Sequence, residues 1–326
     1  MRIYINENRG CVKNKDEVVD CVFNFSHFQQ FNNFIRDFNN KIMKKSYCVI
    51  NFKGEEEPFS FKKVYQSARR VGASGSLARE IAENIQQTIY PGIKTSEIFD
   101  KVKNLLRKEN SKAAIKFSLK KAIQKLGPTG FPFEKYIGAI FKSFGFKVKL
   151  NQYFSGLCLK YEIDFLAQKR DLLYIGECKY RNLLLEKSIH SNIILANYAR
   201  FLDLKDGTFL KQKKFGNFKI KSILVTDAKF TFDAIKFSRC RDTELLGWRY
   251  PKNKGLEYFI ESQNLYPITI LPSLKNYLAE IFVSKKIMLV KDFLKFDIFK
   301  FSEENKIPLN YLEALVKESK ILLGKD

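Results

Sequence analysis

The stretch YEIDFLAQKRDLLYIGECKY, residues 161–180, decides the fold. Two apolar runs, 163–167 and 172–176, flank the polar residues QKRD, so they read as antiparallel strands joined by a tight turn. With Gln168 to Asp171 as the loop, Ala167 faces Leu172, Asp164 faces Ile175 and Glu162 faces Glu177. Residues two apart on a strand share a face. This register therefore sets Asp164, Glu177 and Lys179 on one side of the hairpin and Cys178 on the other. A loop longer or shorter by one residue would turn Asp164 to the opposite face.

Two carboxylates and an amine on one face suit phosphodiester hydrolysis. A divalent cation, Mg²⁺ or Mn²⁺, held by Asp164 and Glu177 with the backbone carbonyl of Cys178, would neutralise phosphoryl charge and activate a water. Lys179 would orient or deprotonate that water, or stabilise the transition state. The same three side chains also suit a cross-strand salt bridge on an exposed sheet face.

The flanking elements extend the pattern. A helix begins at Pro132, a first-turn position that proline tolerates, and ends at Gly145, with Phe133, Ile137, Ile140, Phe141 and Phe144 as its buried stripe. Its first-turn Glu134 either reaches the metal centre or complements the helix dipole. FKVKLNQYF (146–154) alternates as a strand ahead of the hairpin. After it, the helix SIHSNIILANYARFLD, the strand FKIKSILVT, the helix FTFDAIKFSRC and the strand ELLGW form a parallel βαβ unit. His190 falls in a predicted helix with no partner for nucleophilic catalysis, and Trp248 is expected in the core.

Upstream, YCVINFKGEEEPFSFKKV gives an apolar run, a turn at Gly54 and a helix capped by Ser60. Leu77, Ile81, Ile85 and Ile89 have helical spacing, Thr95 and Ser96 open the next helix, and AAIKFSLKKAIQKLG (113–127) is a fourth. GASGS at 72–76 reads as a helix stop and restart, and no GxxxxGK[ST] phosphate loop exists. A strand hairpin and four short helices make a small module. Residues 1–45, rich in Asn and Phe, are expected to be a mobile extension, with Met43 an alternative start; SHFQQFNNFIRDF also has the pattern of a short amphipathic helix. The C-terminal segment reads as short helices, suited either to DNA contact and dimerisation or to plain packing.

Lys and Arg number 58 against 35 Asp and Glu, a formal net charge of +23, which favours a polyanionic partner such as nucleic acid. The six cysteines form no CxxC pair and there are two histidines, which argues against a structural zinc site. No run of roughly 18 apolar residues is available to span a membrane. Reduced thiols and a cytoplasmic location follow as expectations.

Two resemblances sharpen these readings. GEEEPFSFKKVYQSARRVGAS (54–74) and IYPGIKTSEI (89–98), with the helices that follow, resemble the ATP-cone, an allosteric nucleotide-binding domain. The resemblance implies that ATP or dATP binds at Val49, Lys53, Glu57, Lys63, Val64 and Thr95. Asn51 stands where that family carries Lys or Arg, with Lys53 as a substitute. FEKYIGAIFKSFGFKV, YEIDFLA, YIGECKY and ILVTDAKFTFDAIKFSRCRDTELLGW resemble the catalytic domain of Mrr-type restriction endonucleases of the PD-(D/E)xK superfamily, and Tyr161 replaces that family's usual His. That resemblance implies catalytic roles for Glu134, Asp164, Glu177 and Lys179.

The resulting expectation is an α/β chain with four parts. Residues 1–45 are the extension, 46–128 a mostly helical ATP-cone, 129–272 a nuclease domain with a mixed central sheet, and 273–326 a small helical module. Its expected activity is Mg²⁺-dependent DNA endonuclease action under adenine-nucleotide control, in defence against foreign DNA. Its expected partners are DNA, an adenine nucleotide and further copies of itself, with no membrane. A nucleotide-sensing DNA-binding regulator without turnover is the competing reading, and a ribonuclease a third.

Overall fold

A computed structural model of the chain describes residues 4–5, 12–14, 17–18, 48–126, 131–181, 188–208, 216 and 218–325. The structure is α/β, with helices, mixed sheets and a C-terminal run of helices. It divides into two compact units: residues 1–63 with 82–101, and residues 64–81 with 102–326. Among the described residues, no helix is long and apolar enough to cross a membrane.

The first unit contains two small sheets. β1 (Tyr4–Ile5), β2 (Val12–Asn14) and β3 (Glu17–Val18) pair antiparallel, an arrangement that the irregular Asn- and Phe-rich sequence did not announce. The helix considered for SHFQQFNNFIRDF lies outside the described residues. β4 (Cys48–Ile50) and β5 (Glu56–Pro58) form the expected hairpin around Gly54, whose φ is +84°. A third strand, β6 (Ile93–Lys94), pairs parallel with β4, and sequence reading missed it because two residues carry no periodicity. Val49 and Ile93, opposite each other, are both buried.

The helices follow the spacing closely. α1 (Phe61–Arg70) starts behind Ser60, whose Oγ accepts the Lys63 N–H at 3.2 Å. Gly72, at φ +99°, ends that run, and Ser74 accepts the Leu77 N–H at 3.1 Å in the first turn of α2 (Gly75–Thr88). α3 spans Thr95–Glu109. The single helix expected over 113–127 is broken at Ser118 into α4 (Ser111–Phe117) and α5 (Leu119–Gln124).

In the second unit, α6 (Phe131–Ser143) precedes β7 (Lys147–Ser155), β8 (Lys160–Lys169) and β9 (Leu172–Lys179). α7 (Ser191–Asp206), β10 (Lys219–Thr226), α8 (Phe232–Cys240) and β11 (Glu244–Leu246) follow. The sheet order is β11-β10-β9-β8-β7, antiparallel from β7 to β9 and parallel from β9 to β11. The expected βαβ order is therefore present. α7 begins one residue after His190, which is exposed.

The hairpin register differs from expectation. Lys169 faces Leu172 and Leu166 faces Ile175, so the turn is the two residues Arg170 and Asp171, with Arg170 at φ +53°. Gln168 and Lys169 belong to the strand because the Lys169 ammonium donates to the Phe144 carbonyl at 2.6 Å and lies over the Phe146 ring. The register moves by two residues, an even number, so the paired side chains from Phe165 to Lys169 keep their faces. Asp164 now stands opposite Glu177, one step beyond the last paired residues, Phe165 and Gly176.

The alternation sorts the two faces. Phe165, Ala167 and Cys178 enter the main core with Phe133, Ile137, Ile140 and Trp248, as the stripe on α6 predicts. Leu166, Leu173 and Ile175 pack on the opposite face with Leu204 of α7. The main core continues into α10 (Asn276–Ser284), α11 (Val290–Phe293), α12 (Ile298–Asn305) and α13 (Leu309–Leu323), which follow α9 (Leu256–Ser262). Leu312, Leu315 and Leu322 are fully buried in it, and Thr269 Oγ1 donates to the Ala122 carbonyl at 2.7 Å.

Gly176 has a specific steric role. The fully buried Phe165 ring lies across it from the paired strand, in the space that a Cβ would occupy. Gly176→Ala is therefore expected to destabilise the protein by about 1–3 kcal/mol through overpacking. Urea denaturation measures it, and an unchanged midpoint would contradict this packing.

Candidate nuclease centre

The hairpin brings together the residues that its sequence nominates. The Glu177 carboxylate is 4% exposed and contacts Lys179 on its own strand. Asp164 Oδ2 accepts the Cys178 N–H at 2.6 Å, which ties the two strands where their ladder ends. Cys178 directs its side chain into the core and its N–H towards Asp164. Burial raises its thiol well above the ordinary value, as befits a packing residue.

Glu134 joins from the first turn of α6. Its Oε2 accepts Asn151 Nδ2–H at 3.2 Å. Burial raises its carboxyl against that hydrogen bond, with Glu162 and Glu177 adding repulsion. Burial also raises the Asp164 carboxyl from 3.8 to about 7, with the Glu177 charge as the next cause. Three carboxylates thus share one electrostatic environment with a single lysine from the hairpin.

Two members were not legible in the sequence. Asn151 sits mid-strand at φ +50°, between the pairs Leu150–Phe165 and Gln152–Ile163, and so lies opposite Asp164. An Asn in an otherwise alternating strand was the available signal, since Asn tolerates left-handed backbone. Arg200, from the middle of α7, contacts the second Glu177 oxygen and stacks on the Tyr161 ring at 5.9 Å. Nothing in its local sequence separates it from the chain's many surface cations. Only the packing of α7 on the sheet brings it to Glu177.

The strand exit is fixed independently. Thr226 Oγ1 donates to the Lys179 carbonyl at 2.6 Å, and Asp227 Oδ1 accepts the Arg181 N–H at 2.7 Å. Asp227 is completely buried, and burial raises its carboxyl to about 7. Among the described residues its Oδ2 has no hydrogen-bond partner.

The donor chemistry suits a hard divalent cation: oxygen atoms only, two of them from carboxylates with excess negative charge. Among the described residues, no three acidic, His or Cys side chains enclose an ion in this arrangement. Both Glu177 oxygens contact cationic side chains, and one Asp164 oxygen takes a backbone N–H. The chain's own cations thus balance the charge that an ion would otherwise balance. These side chains offer oxygen donors of the right kind, and an ion would have to displace Lys179 or Arg200 from Glu177 to use them.

The nucleotide-contact residues divide differently. Val49 pairs with Glu57 across β4 and β5, and Glu57 meets Lys63 at 3.6 Å. Lys53 is exposed in the hairpin turn, and Thr95 follows β6 directly. Val64, which falls in the second unit, is buried. Asn51 is committed to its own turn: its Oδ1 accepts the N–H groups of Lys53 and Glu55 at 2.8 and 3.1 Å. It shapes the hairpin and offers no charge.

No family model matches the chain. Over 137 residues it is 35% identical to an uncharacterized protein of Archaeoglobus fulgidus, a match covering 42% of this chain and 72% of that protein. The chain belongs to the same family as that archaeal protein. A crystal structure of a protein of unknown function, AF1548, is also similar, at 28% identity and a TM-score of 0.48, covering 59% of this chain and 98% of that one.

Proposed function

We propose that the chain is a metal-dependent DNA endonuclease of the Mrr type within the PD-(D/E)xK superfamily, controlled by ATP or dATP at an ATP-cone. The observation that carries the nuclease reading is the meeting of Glu134, Asp164, Glu177 and Lys179 from three separate elements in a half-buried cluster. An ion pair along β9 accounts for Lys179 and Glu177. It does not account for two further acids gathered beside them at an electrostatic cost.

Asp164 and Glu177 would hold Mg²⁺ or Mn²⁺, with the Cys178 carbonyl as a further oxygen. The bound ion would supply Lewis-acid stabilisation of the phosphoryl oxygens. Lys179, drawn against Glu177, is placed to orient a water. Glu134, held by Asn151, supports the cluster from α6. Arg200 offsets the Glu177 charge. The testing experiment is cleavage of supercoiled plasmid with Mg²⁺ or Mn²⁺, with and without ATP and dATP. No cleavage under any of these conditions would favour the DNA-binding regulator.

Nucleotide control rests on the hairpin with its exposed Lys53 and on Lys63 at the start of α1. Titration calorimetry of the full chain is expected to show ATP or dATP binding. Lys53→Ala should weaken it about 10-fold or more, the value of one hydrogen bond to a charged group. Heats indistinguishable from dilution at high ATP would remove the regulatory half of the proposal.

A further inference from the structure

Next to the carboxylate cluster, α6 presents a second charged surface. A groove of about 480 Å³ separates α6 from the segment around α11, and its walls carry Lys135, Lys142, Lys286, Lys291 and Lys295. One carboxylate, Asp292, faces it, and Lys295 pairs with that at 2.7 Å. The floor is apolar, with Leu150 and Met288.

Lysines on a convex helix point separately into water and cost little. These line opposite walls of a concavity, where the potential is focused. Burial, and then the Lys286 charge, lower the Lys135 amine, and burial lowers that of Lys291. An anion in the groove would relieve both.

The position of the groove says which anion. Leu150 in its floor directly precedes Asn151, and Lys135 in its wall directly follows Glu134; Asn151 and Glu134 are hydrogen-bonded within the cluster. The groove thus shares two elements with the cluster, α6 and β7, although none of the cluster's carboxylates lines it. Lys135 and Lys142 are seven residues apart on one helix, about 10 Å along its axis, so the lysines follow the length of the groove. An extended polyanion can lie along the groove and still reach the cluster.

We propose that this groove is the track for the sugar–phosphate backbone of the nucleic acid, which leads it from the C-terminal helices to Glu134, Asp164 and Glu177. The direction of the track rests on the nuclease reading; its charge does not. The last helices then serve substrate binding as well as the core.

The test is binding of a fluorescent DNA duplex to the full chain without divalent metal, across a salt series. Lys142→Gln, Lys286→Gln and Lys291→Gln together should lower affinity at least about 10-fold at moderate salt. They should flatten the slope of log affinity against log salt by about 2–3, close to 0.9 for each phosphate that is no longer neutralised. The melting temperature checks the fold, and if the triple variant is unstable, each single substitution should flatten the slope by about 1. Wild-type slope and affinity in a folded variant would overturn the track. So would a groove-dependent grip on polyphosphate or an acidic peptide with none on DNA or RNA. Because the readout needs no turnover, an inert carboxylate cluster would sink the nuclease reading alone. Full cleavage with an unchanged slope would sink the track alone.

Discussion

Asp164→Asn is expected to reduce metal-dependent cleavage of supercoiled plasmid by about 10³-fold or more, a loss of roughly 4 kcal/mol of transition-state stabilisation. Lys179→Ala should fall within about 10²–10⁴-fold, the usual range for a proton-transfer group. Asp171→Asn, in the exposed turn of the same hairpin, should cleave at the wild-type rate. Asp164→Asn keeps the shape of Asp164 and an oxygen for the Cys178 N–H, so it removes charge without removing the strand tie. Single-turnover rates at saturating Mn²⁺ make the comparison. Equal rates for wild type and Asp164→Asn would mean that the cluster is structural.

The same substitution should make the protein more stable, and only at higher pH. Asp164 ionises near pH 4 in the unfolded chain, whereas burial, followed by the Glu177 charge, holds its folded carboxyl up to about 7. Between those values the unfolded state has released a proton that the folded state keeps, so wild-type stability falls as pH rises through the window and stays lowered above it. At 1.36 kcal/mol per unit, the loss is of the order of 2–4 kcal/mol. Asp164→Asn removes this contribution. Its melting temperature should match the wild type near pH 4 and exceed it at pH 8. Burial also raises Asp227 to about 7, but it is present in both proteins and cancels in the difference. A divalent cation should restore stability to the wild type at pH 8 and do little for the variant. A variant less stable than wild type at pH 8 would contradict the charge crowding described here.

Much of the carboxylate cluster could be read from the sequence because strands repeat every two residues. The expected register of 161–180 was wrong by two positions, an even number, so the paired residues kept their faces and Asp164 still meets β9 beside Glu177, at the Cys178 N–H. The error had a local cause. A charged QKRD run looks like a loop, but Lys169 finds a carbonyl and an aromatic ring to sit against. The apolar stripe of α6 was legible for the same reason, through its helical spacing. Arg200 and the groove lysines were not, since a cation's role depends on which distant element it meets. β6 and the break at Ser118 were also beyond reach, because neither has enough residues to show a period.

The sharing of one core between the sheet and the last helix bears on how the protein is made. Leu312, Leu315 and Leu322 are fully buried in the core that also holds Phe165 and Cys178, the residues that back the candidate centre. A chain emerging from the ribosome at about 5–20 residues per second carries its acidic strand pair into the cell well before those leucines follow. Until residue 322 is out, that face of the sheet has no complete apolar backing. The face of the sheet that backs the carboxylate cluster is therefore completed late in synthesis, well after every residue of the cluster has been made.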